Sequence, residues 1–234
     1  MARKQIVLFY CIVSLLTFIF APNKIKAQIP VYKYSFKTDF SIPIVTGSNA
    51  YKKSFSGVMA INSAFTFHTP KGIFARVGLH YLQNKTGNSR NFNLGVLEVK
   101  HHVVSPNIGL GYEFFNGDRF VLGIEANYFR SFGEFTRSLV PDSISFKPVL
   151  TQNFNEYALN GYVSFYTDEN LSFGINLGYH YQNYTFDPFP FYFDVINNTT
   201  NKEDISNNNG YITFGLGFIY HFSPFKKQPI RENK

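Results

Sequence analysis

The stretch that most constrains this chain is residues 210–222, Gly-Tyr-Ile-Thr-Phe-Gly-Leu-Gly-Phe-Ile-Tyr-His-Phe. Ile212, Phe214, Leu216, Phe218, Tyr220 and Phe222 share one parity; Tyr211, Thr213, Gly215, Gly217, Ile219 and His221 share the other. Alternation this strict is a β-strand, because successive side chains leave opposite faces. One face is apolar and ends in aromatics. The other is mostly small or polar. A strand with lipid on one side and a packed lumen on the other is written this way.

The same writing recurs through the chain. The pattern predicts strands over 32–42, 55–67, 73–83, 99–115, 120–130, 157–166, 171–182 and 210–222. In the first, Tyr32, Tyr34, Phe36, Thr38, Phe40 and Ile42 are expected outward, with Lys33, Ser35, Lys37, Asp39 and Ser41 inward. A lysine at mid-depth on the lipid face costs about 2–4 kcal/mol, so that set belongs to a lumen. In the second, Phe55 through Phe67 at odd positions are expected outward. A bulge is expected at Ser105-Pro106, since proline donates nothing to a ladder. Tight turns are expected at 69–72, 116–119 and 167–170, and long connections at 45–54, 84–98, 131–156 and 183–209. Short connections at one end and long ones at the other are the habit of outer-membrane barrels. The expected fold is therefore all-β: an eight-stranded antiparallel up-and-down transmembrane β-barrel. The rival is a soluble eight-stranded barrel with its apolar face around a ligand, because periodicity alone does not say which face is inside. Recurring charges and glycines on one face, and aromatics at strand ends on the other, favour the membrane form.

Composition agrees. Aromatics make up 19% of the 234 residues, while mean hydropathy is only −0.12. Two-faced strands give that combination; transmembrane helices give long apolar runs. The one such run opens the chain. Arg3 and Lys4 precede an apolar segment over 6–20, and Ala27 precedes Gln28, the layout of a secretory signal peptide spanning 1–27. The barrel is then 28–222, and 223–234 is a short basic tail carrying Lys226 and Lys227. The formal charge of +7 falls to +3 without Arg3, Lys4, Lys24 and Lys26, so the basic balance does not argue for nucleic acid. Cys11, the single cysteine, lies in the signal, which leaves the mature chain without disulfide or thiolate chemistry.

An eight-stranded barrel is just narrow enough for side chains to fill it. Lys37, Asp39, Arg76, Glu113 and Glu125 are the candidates for a paired lumen charge network, since an unpaired buried charge is costly. His80, His101, His102 and His180 lie where they can converge, and a metal cluster or a lipid-modifying site is conceivable there. No G-x-S-x-G or H-E-x-x-H motif accompanies them, so no catalytic residue, metal or cofactor is assigned. The fourth long connection packs Phe186, Phe189, Phe191, Tyr192 and Phe193 between prolines. Aromatics outside a membrane suggest a contact surface; the alternative is that they fold over the barrel mouth.

The terminal strand resembles the C-terminal assembly signal of bacterial outer-membrane barrels in Gly215, Phe218, Tyr220 and Phe222. The mature chain as a whole resembles the outer-membrane β-barrel domain families of Bacteroidetes, the PorT-like and OmpX/OmpA-like small barrels. The resemblance implies the bacterial outer membrane, periplasmic termini, outer-membrane lipid around the barrel, and the barrel-assembly machinery as a partner during biogenesis. It also makes Asp142-Ser143-Ile144 look like that phylum's short O-glycosylation site. Three functions follow as expectations: a non-enzymatic surface or structural protein using its loops for contact, an accessory component of an envelope secretion or assembly machine docking another envelope protein, and a lipid-modifying barrel enzyme.

Overall fold

The computed structural model describes residues 32–86, 91–92, 95–116, 120–140, 147–168, 170–187, 191 and 208–224. The signal segment, the tail beyond Pro224, the Asp142-Ser143-Ile144 motif and the side chains of Phe189, Tyr192 and Phe193 lie outside the described residues.

Eight long strands close a barrel. They are β1 (Tyr32–Gly47), β2 (Phe55–His68), β3 (Ile73–Thr86), β5 (Gly95–Asn116), β6 (Phe120–Val140), β7 (Lys147–Tyr166), β8 (Leu171–Asn183) and β9 (Asn208–Pro224). A two-residue strand, β4 (Asn91–Phe92), pairs only with the start of β5, and a short helix, α1 (Asn49–Ser54), follows β1. Every pairing among the eight long strands is antiparallel and joins consecutive ones, β3 meeting β5 past the short β4, and β1 joins β9 to complete the circle. Closure leaves no strand edge, which is what a sheet in lipid needs.

The exterior carries an apolar belt. Ile108, Leu110 and Leu159 are each more than 60% exposed, and Ile42, Val77, Leu79, Leu177 and Leu216 more than half. A contiguous apolar belt this exposed marks a surface that faces something other than water. Phe67, Tyr112, Phe165, Phe173 and Tyr220 ring the belt at the end with the tight turns; Tyr128, Tyr157 and Tyr179 ring it at the other. Phe173 and Tyr181, on one strand, are about 26 Å apart along the chain, or about 20 Å after a tilt of ~40°, the scale of a transmembrane band. The chain spans a membrane.

At the turn end, Gly72 takes φ +83° and its N–H reaches Thr69 O at 3.1 Å, closing the turn that proline and glycine foreshadow. Tyr32 pairs with Pro224 at this same end.

Several expectations need correction. The strands run further than expected: β5, β6 and β7 hold 22, 21 and 20 residues, so the long connection placed at 131–156 is mostly strand. β1 continues to Gly47 and β9 to Pro224. No register shift occurs at Ser105-Pro106, where β3 pairs without interruption. The ladder to β6 simply skips those two residues and resumes in register, because proline's missing N–H removes a bond without inserting a residue. The shift in β5 lies instead between Glu113 and Phe115. In β2 a bulge between Gly57 and Met59 reverses the parity on its loop side, so Phe55 is buried in the lumen and not outward. Tyr32 also turns inward, stacking on His221 at 4.8 Å. Lys33 is exposed, with its ammonium 5.2 Å from the Tyr34 ring.

Candidate functional site

The lumen is filled in four layers. Strand alternation projects one residue in two into it, and the register across the barrel sets which of them meet.

At the turn end, Phe74, Val121 and Tyr162 form a small apolar cluster. Beside it His68 Nε2 lies 2.8 Å from Ser35 Oγ and Nδ1 3.5 Å from Glu113 Oε1. Tyr162 donates to the same carboxylate at 3.1 Å. Hydroxyl, imidazole and carboxylate in this order invite comparison with a nucleophile and its base. Ser35, however, sits mid-strand between β2 and β9, where backbone N–H groups are committed to ladders. Among the described residues, the backbone N–H groups beside Ser35 are therefore not free to form an oxyanion hole.

The second layer is the charge network. Lys37 Nζ is 3.3 Å from Asp39 Oδ2 and 3.9 Å from Glu125 Oε1, and Arg76 Nη1 donates to Glu125 Oε1 at 2.5 Å. Asn176 donates to Asp39 at 2.9 Å, and Asn160 and Asn127 to Glu125 at 3.2 and 3.3 Å. Two cations thus face two carboxylates, all buried. Of the five residues expected in the network, Lys37, Asp39, Arg76 and Glu125 come together. Glu113 is held one layer away by Tyr162 and His68. Glycines make room for this layer: a side chain at Gly178 or Gly109 would run into Asn160 or Asn127.

The third layer is built on Glu156, which is wholly buried. His180 Nδ1 lies 2.8 Å from its Oε1, the Tyr211 hydroxyl donates to the same oxygen at 2.6 Å, and Gln182 donates to Oε2 at 2.8 Å. The Tyr211 oxygen is also 2.9 Å from His80 Nε2. Phe129 packs against both imidazoles, its centroid 5.4 Å from His80 and 5.7 Å from His180. Of the four histidines considered from sequence, only His80 and His180 meet. His101 is a layer higher, stacked on Phe135 at 3.9 Å. His102 faces out, 2.8 Å from the Tyr81 hydroxyl. Glu156 falls at the edge of the 131–156 segment that the pattern assigns to a connection, whereas β7 begins at Lys147. Glu156 shares parity with Asn160 and Ala158, and extending the β7 alternation upstream finds it.

The fourth layer is an apolar plug at the loop end. Val45, Leu82, Val99, Val103, Phe135 and Phe154 point inward, and Ala50, Tyr51, Tyr184, Phe186 and Phe191 close over them. Ser48 caps α1, its hydroxyl accepting from Tyr51 N at 3.4 Å and donating to Asn209 at 2.6 Å. The Tyr51 hydroxyl meets His101 Nδ1 and Asn84 Nδ2, both at 2.8 Å. Burial pushes the phenols of Tyr51 and Tyr184 above the usual tyrosine range. Of the two readings of Phe186 and Phe191, an exposed contact surface or folding over the mouth, the second holds: both are buried in this plug.

Between the second and third layers lies a cavity of about 20 Å³, lined in part by Asp39, Glu125, Asn160, His80 and His180. It has room for about one water molecule.

No family model matches the chain, and no curated protein does. Solved structures match the fold. Neisserial surface protein A aligns at 11% identity and TM-score 0.51, over 81% of this chain and 97% of that one. Ail of Yersinia pestis aligns at 13% identity and TM-score 0.46, over 81% and 97%. OprG of Pseudomonas aeruginosa aligns at 12% identity and TM-score 0.45, over 84% and 100%. The chain has the eight-stranded fold of small outer-membrane barrels. Within that fold, Gly215 faces the lumen while Phe218 and Tyr220 stand on the lipid face of β9.

Proposed function

We propose that the chain is a non-enzymatic outer-membrane protein of the bacterial envelope, whose sealed barrel carries loops for surface contact or envelope structure. The observation that carries this reading is the filled lumen. A neutral layer of buried ion pairs and an aromatic plug occupy the cross-section in series. A solute would have to break buried ion pairs and displace Phe135 and Phe186 to pass. In this reading the turn end and both termini are periplasmic, and the plugged end faces outward. Gly215, Phe218, Tyr220 and Phe222 serve recognition by the barrel-assembly machinery, and lipid is the permanent partner. A Bacteroidetes-type membership would fit these features.

The mature chain's lack of cysteine gives a direct test. Lys52→Cys on α1 and Lys71→Cys in the first tight turn are both exposed positions. A membrane-impermeant maleimide on intact cells is expected to label the first, and the second only after permeabilisation. The reverse pattern overturns the orientation. Planar bilayers with the refolded barrel are expected to show no unitary conductance, and stable channels would overturn the sealed lumen.

A further inference from the structure

We propose that His80, Glu156 and His180 form a site for a transition-metal dication of the zinc class within the barrel, with the Tyr211 hydroxyl as a fourth donor. Strand β3 and the β7–β8 hairpin deliver these ligands, and their donor atoms all lie within 4.8 Å of one another. A zinc ion with bonds of about 2.0–2.2 Å holds tetrahedral ligands about 3.4 Å apart. The remaining closure is shared between side-chain torsions. Two imidazoles and one carboxylate select a borderline-soft dication over magnesium or calcium, which prefer all-oxygen shells.

Charge and hydrogen bonding both point to a cation. The layer below matches Asp39 and Glu125 with Lys37 and Arg76. Glu156 is as deeply buried as they are, and among the described residues no lysine or arginine forms an ion pair with it. Its ion-pair partner is His180, an imidazole. His80 is 2% exposed, and its Nδ1 has no hydrogen-bond partner among the described residues. The surroundings are those of a metal site. Gln182 holds the second carboxylate oxygen, as outer partners orient metal-binding carboxylates. Phe129 fixes the planes of both imidazoles, and the small cavity beside them opens on both histidines.

The test uses the full chain, purified from membranes in detergent and also refolded with zinc or cobalt present. Folding is followed by heat-dependent gel mobility. The folded protein is expected to retain one zinc per chain through chelator washing, and the cobalt form to show the visible absorption of a tetrahedral centre. His80→Asn, His180→Asn and Glu156→Gln should each abolish retention. Gln182→Met should weaken binding about 10–100-fold, as loss of an outer partner does. His102→Ala, on the outer face, should leave it unchanged. No retained metal in the folded wild-type chain overturns the proposal, as does retention unaffected by the three ligand substitutions. Should those variants fail to fold, X-ray absorption of the zinc-loaded wild type decides: two imidazoles in the coordination shell support the site, and an all-oxygen shell overturns it.

Discussion

The two ends of this barrel are written in opposite senses. Within the apolar belt, inward residues are polar or charged, such as Lys37, Asp39, Arg76 and Glu125, and outward ones are apolar, such as Leu110, Ile124 and Leu159. Above the Tyr128–Tyr157 ring the inward residues become Val99, Val103, Phe135 and Phe154. The outward ones there become largely polar, among them Lys85, Glu134, Thr151 and Asn153. The same strands pass through both regions, with local irregularities at Gly57/Met59, Ser105-Pro106 and Phe135/Thr136 but no change of partner. The lower half is a membrane barrel; the upper half has the polarity of a soluble one. Membrane and soluble barrels are thus joined here in one continuous sheet. The surrounding solvent decides which parity carries the apolar residues, because lipid and water reward opposite faces.

This contrast is tested most strongly in the lumen. Arg76→Ala leaves Glu125 without its main partner and should cost about 3–5 kcal/mol. Phe135→Ala removes a plug ring and should cost a similar ~3–5 kcal/mol. The two should differ in reach. Urea titration in lipid vesicles should show the first lowering the stability of the whole barrel. Hydrogen exchange should show the second loosening mainly the upper parts of β5, β6 and β7. Equal exchange at both ends after Phe135→Ala would mean that the halves do not differ in cooperativity.

The exterior gives the next largest effect. Leu110→Arg places a charge in the belt and should cost about 2–4 kcal/mol. Thr151→Arg, outward but above the belt, should stay within about 0.5 kcal/mol. Comparable losses at both positions, measured by the same titration, would move the membrane boundary upward.

The smallest effect is a pH slope confined to the plug. The buried phenols of Tyr51 and Tyr184 have folded pKa values above the ordinary 10.0. Their contribution to stability is complete below about pH 10. It declines as pH rises toward the folded values, because the unfolded chain loses its phenolic protons first. Tyrosinate absorbance should therefore lag behind that of exposed tyrosines, and Tyr51→Phe should reduce the slope.

Legibility from sequence followed the same divide. In the lower half, polar-in and apolar-out alternation was readable strand by strand, and four of the five network residues do assemble. In the upper half the alternation persists with its sense reversed, so it looked like loop at 131–156 and like a slip near Ser105-Pro106. Phe55 misled for another reason: a single extra residue at the bulge changes parity without leaving a mark in composition. For Phe186 and Phe191 the sequence leaves a contact surface and a fold over the mouth both open, because a Pro-rich aromatic run has no period to say where it points.

Alternation of period two, an even strand count and the contrast between tight turns and long connections determined the all-β barrel from sequence alone. These are local properties, set by backbone geometry and by which residues tolerate lipid. Which inward residues face one another was decided only by tertiary structure. His80, Glu156, His180 and Tyr211 come from four strands, and only barrel closure and register bring them within bonding distance. Whether the mouth is open was decided the same way. The aromatics of a long connection reach the lumen because the upper strands leave an apolar interior for them to fill.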